Sequence, residues 1–308
     1  MRIAMLLPVA DCPATRAYAL WTRSARDLSE ALVQRGIEVT GVPIQDAGPR
    51  QPTYRSGVIG VESMLRLTHV FQNAENFDLI HDMIGFAAPS FAGFIKSPML
   101  STVWFDMWQH ASDMYQAMNQ QVFYLSPGEQ DRKTGLLYTD TLPWGVAVRS
   151  TPFHPSPDDH LVFLGALEAK AGVEEAIQVA NQLGRPLVLL GTIVDRVFFD
   201  RQIAPHLGAQ LRHHEDPASP EADRLIGQAA CVLHVGNTVG MKQLALLDAM
   251  ARGVPVLAID DSHGDIVVEG ITGAQFVHAI VITLRHHVVS AGVPFITVPG
   301  EGGHAVRT

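Results

Sequence analysis

HLVFLGALEAKAGVEEAIQVANQLGRPLVLLG, residues 160–191, decides the fold. It opens with an apolar β-rich run (160–165), passes through a glycine-bearing loop into a helix (173–183), and closes with a second apolar run (186–191). Strands that are apolar throughout, rather than alternating, belong to a parallel sheet covered on both faces. The rhythm continues downstream: helices over 196–206, 220–230 and 241–252 alternate with strands over 231–236 and 254–260.

The same pattern runs upstream. Residues 2–9 read as a first strand, short for a signal peptide, followed by a helix over 18–35 with Leu20, Ala25, Leu28 and Leu32 at helical spacing. Gly36 stands where a C-terminal cap is expected. Strands follow over 37–43, 77–82, 98–104 and 121–126, with helices over 63–73 and between the last two strands. Residues 143–159 hold four prolines and no periodicity, and read as a linker. The expectation is therefore an α/β protein of two Rossmann-like parallel-sheet domains facing a cleft, 1–145 and 146–273, with an atypical tail over 274–308.

Composition narrows the function. The 308 residues carry 22 Lys and Arg against 31 Asp and Glu, a net charge of −9. That balance, without a basic stretch, argues against nucleic acid and anionic membrane as partners. No run of ~18 apolar residues occurs, so no transmembrane segment is expected. Two cysteines, Cys12 and Cys231, give neither a metal spacing nor a disulfide framework and suit the cytoplasm. Of the 14 histidines, His213-His214 and His286-His287 are adjacent pairs whose side chains would diverge along a strand, which does not favour a metal.

Four segments, RGIEVTGVP (35–43), NFDLIHDMIGFAAPSFA (76–92), the stretch 160–191 and LLDAMARGVPVLAIDDSHGDIVVEGITG (246–273), together resemble family-4 glycosyltransferases. These are retaining nucleotide-sugar enzymes of the GT-B fold. The resemblance spans roughly residues 1–273, and 160–273 is its more specific part. It implies an acceptor-binding first domain and a donor-binding second domain. The ligands it implies are a nucleotide-sugar and a glycan or small-molecule acceptor, with no cofactor beyond the nucleotide-sugar as substrate.

The family's functional positions are altered. Ala19 and Leu20 stand where it has a glycine pair. His81 keeps the first place of a His-x-His pair whose second place is Met83. Trp104 replaces a histidine, and Ala166 and Ala171 replace an Arg and a Lys, with Lys170 one residue early. The Glu-x7-Glu pair aligns with Gly240 and Asp248, and a glycine between them with Gln243. A charge-assisted hydrogen bond is worth ~1.5–3 kcal/mol. Losing both cations therefore weakens diphosphate stabilisation on the order of 10²-fold.

The residues themselves supply candidates. The loop GNTVGMK (236–242) precedes a helix, so its backbone N–H groups, the helix start and Lys242 suit a phosphate; an ordinary strand–helix turn is the alternative. Gly165 and Lys170 lie in the loop after the strand 160–165. Asp248 reads as a ribose-binding carboxylate or as a cap on a neighbouring loop. Asp265, in HGDIV, reads as a contact to the sugar or as a helix N-cap. His81, at a strand's C-terminal end, reads as a neutral imidazole for a sugar hydroxyl or as a structural histidine. The catalytic candidates are thus His81 and Asp265, and the donor-binding ones Gly165, Lys170, Gly240, Lys242 and Asp248. Two functions follow: a retaining glycosyltransferase, or a catalytically silent homologue acting as a binding or partner protein.

Overall fold

The computed structural model describes residues 1–8, 16–44, 61–85, 87–103, 109–148, 151–169, 171–216, 219–235, 242–259, 266 and 273–276. The chain forms two compact units, the first built on the N-terminal strand and Tyr18–Gly145, the second beginning at Val146.

In the first unit, β1 (Arg2–Pro8), β2 (Glu38–Ile44), β3 (Leu79–Asp82), β4 (Met99–Thr102), β5 (Val122–Ser126) and β6 (Tyr138–Thr141) form one sheet. Its order is β2-β1-β3-β4-β5-β6, and every pairing is parallel. Parallel neighbours require crossovers, and the helices α1 (Arg16–Gln34), α2 (Val61–Gln72) and α3 (Gln109–Ala117) supply three of them. Ala25, Leu28 and Leu32 of α1 pack on Met5, Leu7 and Val39 of the sheet. Leu67, Val70 and Phe71 of α2 and Tyr115 of α3 join Leu6, Ile80, Met99 and Tyr124 in a second core. At the end of α1, Gly36 takes φ 79°, and Ile37 N donates to Leu32 O at 3.1 Å. This is the left-handed stop that glycine accommodates without a Cβ clash.

The second unit repeats the scheme with β7 (Leu161–Leu164), β8 (Leu187–Leu190), β9 (Leu211–His214), β10 (Cys231–Val235), β11 (Val256–Ile259) and β12 (Gly273–Phe276). The order is β12-β11-β10-β7-β8-β9, again wholly parallel. Every residue of β7 and β8 is buried, as a sheet covered on both faces requires. Helices α4 (Val173–Leu183), α6 (Pro220–Gly227) and α7 (Lys242–Ala251) are regular. The 196–206 segment is not the single helix expected. A short α5 (Arg196–Phe198), capped by Asp195, widens into a π-helical turn over Phe199–Ile203 and tightens over Ala204–His206. Pro205 sits at the change; it has no N–H to continue an α-helical ladder.

Two strands carry weak sequence signals. β6 (YTDT) and β9 (LRHH) are short, polar and at sheet edges. β12 extends the second sheet into the segment read as a tail, and residues 277–308 lie outside the described residues.

Candidate functional site

In an open α/β sheet, ligands bind beyond the carboxyl ends of the strands, where the strand order reverses. The first sheet reverses between β1 and β3, and His81 and Asp82 close β3 at that end. Successive strand residues face opposite sides. His81 pairs in register with Met5, on the α1 side, and Asp82 with Leu6 on the other. The His81 Nε2 and Thr102 Oγ1 share a hydrogen bond of 2.9 Å. Burial pushes the imidazole down from 6.5 to about 4, so the ring is neutral at pH 7.

Asp82 is fully buried and organises the turn that follows. Its Oδ1 accepts from Ile84 N at 3.0 Å and Gly85 N at 3.1 Å, and its Oδ2 accepts from Ser101 Oγ at 2.7 Å. Burial raises its pKa from 3.8 to about 6, and the three donors only partly oppose the shift. Tyr115 lies on the same side, its buried hydroxyl without a hydrogen-bond partner.

The second sheet reverses between β7 and β10. Gly165 follows β7 and donates from its N to Leu190 O at 3.2 Å. Gly191, after β8, lies so close that a Cβ there would stand 1.7 Å from Gly165 O. His213 of β9 bonds Gly191 O through Nε2 at 2.8 Å. The backbone of Gly165 is thus braced from β8, which is in turn braced from β9.

Helix α7 follows β10 at the same reversal. Lys242 is its first residue, and Gln243, its second, is buried with Nε2 lacking a hydrogen-bond partner. Asp248, 0% exposed, faces Arg252, which is 1% exposed. Arg252 Nε reaches Asp248 Oδ2 at 3.1 Å and Nη2 reaches Oδ1 at 3.3 Å. The same guanidinium crosses to α6, with Nη2 on Asp223 Oδ1 at 3.0 Å and Nη1 on Asp223 O at 3.3 Å.

The structure therefore places His81 at one reversal, Gly165 just after the strand that flanks the other, and Lys242 and Asp248 on the helix that flanks it. Lys170, Gly240, Asp265 and Trp104 lie outside the described residues, as does most of the loop 236–242. Thr102, Asp82, Gly191, His213 and Arg252 are additional to the catalytic and donor-binding candidates named from sequence. Of these, Arg252 alone had a readable signal, its i,i+4 spacing from Asp248. Among the described residues, no three His, Cys, Asp or Glu side chains converge to hold a metal ion, and no helix is long and apolar enough to cross a membrane.

No protein-family model and no curated protein matches the chain. Solved structures do. AviGT4, a glycosyltransferase involved in avilamycin A biosynthesis, is 16% identical over 94% of this chain and 88% of its own, with TM-score 0.64. Anabaena Alr3699/HepE in complex with UDP and glucose is 16% identical over 94% and 89%, also with TM-score 0.64. The sucrose-phosphate synthase of Thermosynechococcus elongatus is 15% identical over 94% and 89%, with TM-score 0.69. The likeness, with the two wholly parallel sheets, establishes the fold: two Rossmann-like α/β domains of the GT-B type.

Proposed function

We propose that the chain is a nucleotide-sugar-dependent glycosyltransferase of the family-4 kind. It transfers a sugar with retention to a glycan or small-molecule acceptor, in the cytoplasm and with no cofactor beyond the donor. The observation that carries this reading is the second sheet's reversal, where Gly165 and α7 bracket the place at which such a fold receives a dinucleotide or nucleotide-sugar. Supporting it, HepE, a structure of the same fold, is seen with UDP and glucose.

In this reading the Gly165 loop with Lys170, and the loop that ends in Gly240 and Lys242, receive the diphosphate. Lys242 and the start of α7 contribute positive charge there. The unpartnered Gln243 Nε2 adds a neutral donor in the first turn of α7. Asp248 takes the ribose hydroxyls. Its carboxylate is fully buried, at the level of the α7 helix that follows the second sheet's reversal. In the first unit His81, neutral and fixed by Thr102, offers a sugar hydroxyl a hydrogen bond without adding charge. Asp265 is the other candidate for a contact to the sugar. Retaining transfer of this kind relies on positioning and phosphate stabilisation.

One observation favours a second reading, a catalytically silent homologue acting as a binding or partner protein. Ala166 and Ala171 stand where the family resemblance calls for cations, leaving the diphosphate to amides and lysines. Calorimetric titration with UDP, GDP and ADP, followed by assay of UDP-glucose turnover, separates the two. Binding of one nucleotide with turnover supports the enzyme, binding without turnover supports the silent homologue, and no heat at millimolar nucleotide rejects the donor site itself.

A further inference from the structure

The Arg252 guanidinium is buried between two carboxylates on two helices. It lies one residue beyond α7 and folds back one turn to grip both oxygens of Asp248, while its far edge grips the side chain and the carbonyl of Asp223 on α6. Such a side-on fork fixes a carboxylate in distance and in plane, which a lysine's single ammonium does not.

Two physical needs meet there. A wholly buried carboxylate without a cation gives up its charge, because burial favours the neutral acid. Arg252 supplies that cation at 3.1 Å. A carboxylate also offers about four acceptor positions. The fork takes two on one edge, which keeps the charge on Asp248 and fixes its carboxylate in one plane.

Asp223 completes the arrangement. It is 41% exposed, so one end of the arginine is tied to a solvated group while the other end is dry. The guanidinium is thereby held from both sides, and α6 and α7 are locked in register at the level of Asp248.

We propose that Arg252 is a positioning residue of the donor site: clamped between Asp223 and Asp248, it holds the Asp248 carboxylate charged and in one orientation for the ribose hydroxyls of a nucleoside diphosphate. This rests on the reading of Asp248 as the ribose contact. Arg252 itself touches no ligand and acts only through Asp248.

The test is the ratio of affinities for UDP and for 2′,3′-dideoxyuridine diphosphate, measured by calorimetry on the full chain. The two probes share base and diphosphate and differ only in the hydroxyls, so the ratio reports the ribose contact alone. Arg252→Lys keeps a cation and removes the fork; Asp223→Asn leaves the fork, loosens its far end, and carries the test alone if the first variant fails to fold. Arg252→Lys is expected to lower the ratio by roughly tenfold and Asp223→Asn by roughly threefold, with dideoxy affinity unchanged within about twofold. A ratio equal to wild type in the folded variants overturns the proposal, as does an equal loss for both probes, because a merely structural ion pair produces either. Wild type that binds neither probe fails the donor-site reading, and the role of Arg252 falls with it. Wild type that binds both equally removes the ribose role of Asp248 and overturns the proposal, while leaving the donor-site reading standing.

Discussion

Substituting His81 by glutamine reveals two opposed titrations at the end of β3. Burial takes the imidazole from 6.5 to about 4 and takes Asp82 from 3.8 to about 6. A histidine kept neutral in the folded chain contributes stability above its unfolded pKa, and this is lost as pH falls from about 6.5 toward 4. A carboxyl with a raised native pKa does the reverse: its contribution is complete below about 4 and is lost as pH rises through about 6. At about 1.4 kcal/mol for each pH unit between ordinary and native values, each is worth about 3–3.5 kcal/mol in full, of which about 2–3 kcal/mol falls between pH 7 and pH 4.

The windows nearly coincide, so in the wild-type chain the two contributions largely cancel. His81→Gln removes only one. Urea unfolding at pH 7 and pH 4 is the assay. Tryptophan fluorescence suits it because Trp21, Trp104, Trp108 and Trp144 all precede Gly145 and so report the first unit. Relative to wild type, the variant gains about 2–3 kcal/mol on acidification. Asp82→Asn loses a similar amount, because only the histidine then titrates. Differences between proteins remove the shared cost of Asp78 and Glu221, exposed carboxyls whose pKa values lie below the ordinary range. A relative change within about 0.5 kcal/mol in both variants refutes the opposed-titration account.

Two further substitutions test the second unit. Gly191→Ala places a methyl against the Gly165 carbonyl and should destabilise by about 3 kcal/mol or more, whereas Gly208→Ala, with nothing near its Cβ, should stay within about 0.5 kcal/mol; equal effects on the denaturation midpoint would show that the close approach is absent. Ser219 caps α6 by accepting from Ala222 N at 3.1 Å and also shares a hydrogen bond of 2.7 Å with His214 Nε2, so Ser219→Ala should cost about 1–2 kcal/mol in the same measurement. A loss under a few tenths would remove the cap from the account.

Most of the fold was legible because burial on both faces of a parallel sheet writes itself into composition. Leu161–Leu164 and Leu187–Leu190 are apolar at every position, and no other common element demands that over four residues beside a glycine loop. Edge strands escape the same rule. Tyr138–Thr141 and Leu211–His214 face water along one side and tolerate polar residues, so nothing in their letters separates them from loops. The break in the 196–206 helix was readable in principle from Pro205, but helical periodicity alone passes through it.

The candidate site divides along a different line. Its places were legible: His81 and Gly165 are at strand ends because apolar runs stop there. Its energetics were not, because they depend on partners brought from afar. Nothing within four residues of His81 announces Thr102, and nothing near Gly191 announces His213. The Asp248–Arg252 pair shows the difference in magnitude. Read as an i,i+4 pair on a helix surface it is worth ~0.2–0.5 kcal/mol. Buried as it is, removing either partner strands a charge and costs about 3–5 kcal/mol. The same four-residue spacing thus describes an incidental surface contact or a fixed buried pair, and Asp223, reaching in from the neighbouring helix, decides which.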